Sequence, residues 1–322
     1  MVLHSPPAGA DYHRAAAACA QRWWVPPLAL STAALLWLAV GAALMFGGVV
    51  VFLGVSLLFD GDLGDPAAPA SPLFGHPVAA LAMQLLLLSA MIPIVFLVVR
   101  VVQRRRPGTL SSVAGRLRWG WLLWCFAASL PAVFLAIGMP VLLAAVTEFG
   151  PDPAGAFVGI EEFLLAMVVI LALVPLQATA EEYGLRGFVM QTLGSYTVTP
   201  WLGIVVSTAL FTVMHFSYTA WAIADVALFG AAIAWLVWRT GGLEAGIALH
   251  VLHNLTAFTI TAWEGTLLDL ETGGSWQGFL GTVVEVGLFC VIVVWLADRI
   301  GIRRTFPDPY HQPQDPYHQP QG

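Results

Sequence analysis

The stretch FLLAMVVILALVPLQATAEEYGLR, Phe163 to Arg186, decides the fold. Phe163–Ala180 carries no charge and is mostly Leu, Val, Ile and Ala. A run of that length and polarity reads as a membrane-spanning helix, because a helix closes its own backbone hydrogen bonds inside hydrocarbon. Working outward, runs of the same kind give about eight spans, at 28–59, 76–100, 119–147, 158–180, 200–219, 222–238, 243–262 and 279–297. The first is long enough to tilt and too long for a cleaved signal peptide. Only a very short turn around Tyr218–Trp221 separates the fifth from the sixth. The expected fold is therefore an all-α polytopic membrane protein, a bundle of about eight transmembrane helices.

Composition points the same way. Of 322 residues, 59% are hydrophobic and only 10% are charged, against about 25% charged in an average soluble domain. So few charges could not cover a water-soluble globule, and disorder needs the opposite balance. The net charge of −6 leaves no basic face for nucleic acid; the lipid bilayer is the partner expected instead. Cys19, Cys125 and Cys290 match neither a disulfide framework nor a zinc spacing; Cys125 and Cys290, inside apolar runs, read as small hydrophobes.

All 13 basic residues are arginines, which with the abundant Ala, Gly and Pro suggests a bacterial chain. With eight spans, every arginine falls on one side: Arg14 and Arg22; Arg100, Arg104, Arg105, Arg106, Arg116 and Arg118; Arg186; Arg239; Arg299, Arg303 and Arg304. The opposite loops carry Asp60, Asp62, Asp65, Glu148, Asp152, Glu264, Asp269 and Glu271. By the positive-inside rule the arginine side is cytoplasmic, with both termini on it, in a bacterial plasma membrane. The organisation expected is a flexible cytoplasmic arm (1–27), two N-terminal transmembrane helices (28–102), a basic cytoplasmic loop (103–118), a six-helix core (119–304) and a disordered Pro/Gln-rich tail (305–322). Trp119, Trp121 and Trp124 mark the membrane interface. The tail repeats Asp-Pro-Tyr-His-Gln-Pro-Gln from Asp308 and from Asp315, and has no apolar face to bury.

Polar side chains at membrane depth are costly and mark function by default. They gather in the C-terminal half: Glu181, Glu182 and Arg186; His215; Asp225; Glu244; and His250, His253 and Asn254, the last being the one asparagine of the chain. In a continuing helix Glu182 and Arg186 share a face and pair, while Glu181 points about 100° away and stays free. Phe211 and His215 share a face, as do His250 and Asn254, with His253 flanking them. A carboxylate and an imidazole can deprotonate a water, and a His/Asn pair can donate to an oxyanion. Neither a Gly-x-Ser-x-Gly elbow nor a His-Glu-x-x-His helix occurs. The set suits hydrolysis of a peptide bond by water.

Glu181-Glu182-x-x-x-Arg186, Phe211-x-x-x-His215 and His250-x-x-x-Asn254, in that order, resemble the three motifs of the CPBP intramembrane proteases, also called the CAAX protease and bacteriocin-processing (Abi) family. Gly187 fits as well, and the resemblance covers about residues 110–300, making 119–304 the protease core. It implies a glutamic endopeptidase with Glu181 as base, His215 orienting the water and His250 with Asn254 as the oxyanion site. It further implies Glu182 and Arg186 as architectural support and Phe211 as a packing residue, around a cavity open to the cytoplasm. A membrane-associated peptide or protein would be the substrate, with no cofactor. Two other readings stay open: a zinc protease using Glu181, His215 and His250 as ligands, and a non-catalytic immunity or scaffold protein.

Overall fold

The computed structural model describes residues 3–59, 76–146, 157–215, 219–267 and 274–308, and among these it is helical without strands. Helix α1 spans Val25–Phe59 and opens on Pro26 and Pro27, which suit a first turn because its N–H groups have no helical acceptor. Helices α2 (Pro77–Ser89) and α3 (Met91–Val101) form one candidate span broken at Ala90. The break follows from Pro93, which cannot donate to the carbonyl of Ser89. Helix α4 is Trp119–Val146, and α5 (Ile160–Glu181) runs on through a π-helix, Glu182–Val189, into α6, Met190–Gly194. Helices α7 (Trp201–Val213), α8 (Ala220–Thr240), α9 (Glu244–Glu264) and α10 (Trp276–Ile300) complete the bundle. The α8–α9 turn is tight because Gly241 takes the left-handed conformation, φ 71°, that ends α8.

Seven of these stretches are long and apolar enough to cross a membrane: Val25–Gly54, Pro77–Val101, Trp119–Pro140, Ile160–Gly194, Ala220–Thr240, Glu244–Glu264 and Trp276–Ile300. Helix α7 is shorter than the expected 200–219 span. Its 13 residues rise about 20 Å, against about 30 Å of hydrocarbon. It nevertheless carries the chain away from one end of the bundle. The loops at that end bond to one another: Gly9 N donates to Phe306 O at 3.0 Å, Leu243 N to Ser111 O at 2.9 Å, and Arg118 Nη1 to Arg303 O at 2.9 Å. His13 Nε2 lies 3.2 Å from Val198 O on the α6–α7 connection. Between successive loops of this group the chain leaves and returns, so α7 out and α8 back form one of four such excursions.

Packing follows the apolar faces. Helix α4 lies against α9 and α10, α5 against α2 and α9, and α7 against α8. The outward faces carry large hydrophobics, among them Phe46 at 73% and Phe134 at 74% exposure, which suit lipid and not water.

Several expectations are corrected. The arm is docked, not flexible, where it is described: Tyr12, Ala15 and Ala16 are buried, the Tyr12 hydroxyl donates to Leu110 O, and Trp238 Nε1 donates to Asp11 at 3.4 Å. The basic loop is a packed structure in which Arg105, Leu110 and Ser112 are at 0% exposure. The fourth span runs past 180 to Gly194, so Arg186 sits inside the bundle and not in a cytoplasmic loop. His215 is in the turn just beyond α7, not within a helical span. At the tail, Phe306 is buried and donates to Ala10 O at 2.9 Å. The remainder of the tail, with His311 and His318, lies outside the described residues, as do the acidic 60–65, 148–152 and 269–271 stretches.

Candidate active site

The π-helix builds the site. Its wider turn places Met190 N on Leu185 O, one residue beyond the α-helical acceptor, and such insertions gather at functional positions. Gly184 allows the segment to pack, since a Cβ there would collide with the Met91 sulfur. Tyr183 anchors it: its hydroxyl lies 2.7 Å from Ser111 Oγ, and its ring meets Phe96 edge-on at 5.2 Å. Glu181 and Glu182 stand where α5 gives way to the wider turn, and both are buried, at 5% and 0% exposure.

Glu182 and Arg186 form the expected ion pair, Nη1 to Oε1 at 3.0 Å, with both side chains fully buried. A second Arg186 nitrogen donates to Gly230 O at 3.1 Å, and the guanidinium lies 4.4 Å above the Phe211 ring. Phe211 therefore roofs this charge as a packing residue. Gly246 leaves room for Glu182: a Cβ there would lie 2.7 Å from Oε2.

Glu181 is not free. Gln177 Nε2, one turn earlier, donates to its Oε1 at 2.6 Å, and His250 Nε2 lies 3.5 Å from its Oε2. The other nitrogen of the same imidazole, His250 Nδ1, lies 2.8 Å from Glu182 Oε1. One histidine thus bridges two adjacent glutamates. Glu182 Oε1 accepts from Arg186, and as an acceptor facing His250 Nδ1 it places the proton of a neutral His250 on that nitrogen. Nε2 then presents its lone pair toward Glu181. Phe211 and Phe229 meet His250 edge-on, with centroids at 5.6 and 5.5 Å, and fix the ring from two sides.

The remaining candidates are arranged around this core. Asn254 Nδ2 donates to Gln177 Oε1 at 3.1 Å, so Gln177 ties Asn254 to Glu181. His215 Nδ1 lies 2.7 Å from Phe211 O, and the two rings are 4.8 Å apart. His250 and Asn254 thus each touch the Glu181 network, and His215 reaches it through Phe211. Glu244 is separate: it clamps the helix ends, taking Arg118 Nε at 2.9 Å and Nη2 at 2.7 Å. Asp225 hydrogen-bonds Thr282 on α10. His253 pairs with Glu285 at 3.1 Å and stacks on Phe229 at 4.6 Å.

Two residues of this neighbourhood escape a reading by motif. Gln177 is polar and one helical turn before Glu181, a spacing that signals a shared face. Glu285 is a carboxylate inside an apolar run, where any charge needs a partner. A zinc site would draw on Glu181, His215 and His250. Among the described residues no three His, Cys, Asp or Glu side chains converge as a metal-binding group. His250 faces a glutamate with each nitrogen, and His215 turns Nδ1 to its own chain.

Residues 162–256 match the family model described as type II CAAX prenyl endopeptidase Rce1-like. That segment contains Glu181, Glu182, Arg186, Phe211, His215, His250 and Asn254. The uncharacterized protein YyaK of Bacillus subtilis (strain 168) is 24% identical over 218 residues, which cover 63% of this chain and 71% of YyaK. No solved structure matches the chain. Within an all-α polytopic membrane bundle, residues 162–256 are thus similar to the Rce1-like type II CAAX prenyl endopeptidase family model.

Proposed function

We propose that the chain is an intramembrane endopeptidase in which Glu181 is the general base. Glu181 takes a proton from a water that His215 helps to orient, and the hydroxide oxygen bonds to the scissile carbonyl carbon. The resulting oxyanion accepts from Asn254, whose amide has a second N–H beyond the one given to Gln177, and from His250 once Nε2 has received from Glu181 the proton taken from the water. That proton then returns through Glu181 to the departing amine as the C–N bond breaks. Glu182 and Arg186 hold the His250 tautomer and its orientation.

The observation that carries this reading is the bridge of His250 between Glu181 and Glu182, at 3.5 and 2.8 Å, inside the segment matched by the family model. An anchored imidazole beside a buried carboxylate is a proton-transfer arrangement, and packing alone would not require it. The substrate class is a membrane-associated peptide or protein, cleaved at the cytoplasmic side of a bacterial plasma membrane. That side is assigned because the arginine-bearing loops form one end of the bundle. Along α9, His250 lies about 9 Å from Glu244 at that end.

The test uses the purified chain in lipid nanodiscs with a quenched-fluorescent peptide library. Glu181→Gln, His215→Ala and His250→Ala are each expected to lower turnover by about 10²–10⁴-fold. Full activity in Glu181→Gln would overturn the proposal. A chelator is expected to leave turnover unchanged, and abolition would restore the zinc reading.

A further inference from the structure

Away from the protease machinery, a cavity of about 400 Å³ opens between the N-terminal arm and the inner end of α3. His4, Arg22 and Arg104 line it on the polar side, and Val25, Leu28 and Val101 on the apolar side. We propose that this juxtaposition binds a phosphate monoanion carried by a lipid, with the headgroup among His4, Arg22 and Arg104 and the acyl chains along α1 and α3.

Its charge is uncompensated. Among the described residues neither Arg22 nor Arg104 has a carboxylate within ion-pair distance; the arginines that do are Arg118, Arg186, Arg239 and Arg304. Behind the wall lies a third guanidinium, Arg105, at 0% exposure. Gln103, which lines the cavity, accepts from Arg105 Nε at 2.7 Å. Thr109 and Gln191 take Arg105 Nη1, each at 2.7 Å, and Nη2 has no partner. All these partners are neutral. Burial pushes Arg105 down to about 10, against the raising effects of Cys19 and Tyr12. The local field is therefore positive, and an anion would relieve it.

The backbone is also held for the purpose. Arg104 is the single non-glycine among the described residues with positive φ, at 51°. His4 N donates to Arg104 O at 2.7 Å, so the arm clamps the chain in this conformation and brings His4 and Arg104 to one rim. Strain of this kind persists where the surroundings over-determine it, and ligand clamps are a common setting. The cavity lies at the start of α1 and the end of α3, two candidate spans, which is headgroup level. Below it Leu28 and Val101, half-exposed, offer an apolar track. Basic pockets between spans at this level suit anionic headgroups.

The experiment titrates the detergent-purified full chain with short-chain phosphatidylglycerol, short-chain phosphatidylcholine or inorganic phosphate, reading the melting midpoint. Phosphatidylglycerol is expected to raise the midpoint saturably and phosphatidylcholine to leave it unchanged. Arg22→Gln and Arg104→Asn, the latter tolerant of positive φ, should each weaken phosphatidylglycerol binding about fivefold and together about 25-fold. Equal shifts with both lipids, or equal affinity in the double variant, would overturn the proposal. A shift by inorganic phosphate as large as that by phosphatidylglycerol would assign the site to free phosphate and overturn the lipid as its source. If the double variant does not fold, each single variant decides by the same criterion.

Discussion

A buried carboxylate keeps its charge only if something nearby stabilises it, and Glu182 has Arg186 and His250. Its neighbour Glu181 has an amide and a facing imidazole, but no cation of its own. The two should therefore respond differently to the same change. Glu182→Gln leaves the Arg186 charge buried and unpaired, and should destabilise the fold by about 3–5 kcal/mol. Glu181→Gln should cost only about 1 kcal/mol. It should nevertheless reduce hydrolysis by about 10²–10⁴-fold. Melting midpoints and peptide turnover on the same preparations separate the two effects. Equal destabilisation by both variants would count against the division of labour between these residues.

At the scale of elements, the π-helix and the docked arm are the features to probe. Gly184 packs against Met91, so Gly184→Ala should lower stability by about 1–3 kcal/mol through overpacking. Adding Met91→Ala should recover part of that loss, because the colliding sulfur is then gone; a double-mutant cycle on melting midpoints reads the coupling. The arm carries a pH dependence through His13. Burial lowers its pKa, against the raising effects of Asp11 and the Val198 carbonyl, while Arg14 lowers it further. Its folded value is below the unfolded value near 6.5, so the unfolded arm takes up the proton first. The stabilisation is complete above the unfolded value and is lost as pH falls below it. Hydrogen exchange of residues 10–16, corrected for intrinsic rates, should rise relative to neutral pH as the medium is acidified. His13→Gln should flatten that rise.

For the whole molecule, the arm, the loops and the tail pair with one another at one end of the bundle. A cysteine placed by Arg106→Cys, at that end, should resist a membrane-impermeant thiol reagent applied to intact cells. One placed by Asp62→Cys should react. The reverse pattern would invert the orientation. The assembly also holds the arginines at that end in different ways. Arg118 is clamped by Glu244, Arg239 and Arg304 meet Asp298, and Arg105 is buried among neutral amides and hydroxyls.

Apolar run lengths, one-sided arginines and three polar motifs are local properties of the chain, so the sequence by itself determined a helical membrane bundle and singled out its candidate site residues. The Glu182–Arg186 pair was equally legible, because spacing of four along a helix is enough to form it. What needed the tertiary structure was every relation across helices. Ideal helical geometry sends Glu181 away from Glu182; only packing of α9 against α5 lets a single imidazole meet both. Gln177 and Glu285 acquire their partners from other segments, and the arm is ordered by Tyr12 and Phe306 meeting neighbours distant in sequence. Hydropathy reports what a residue avoids. Which polar groups it meets instead is set by side chains from other helices, and that only their packing decided.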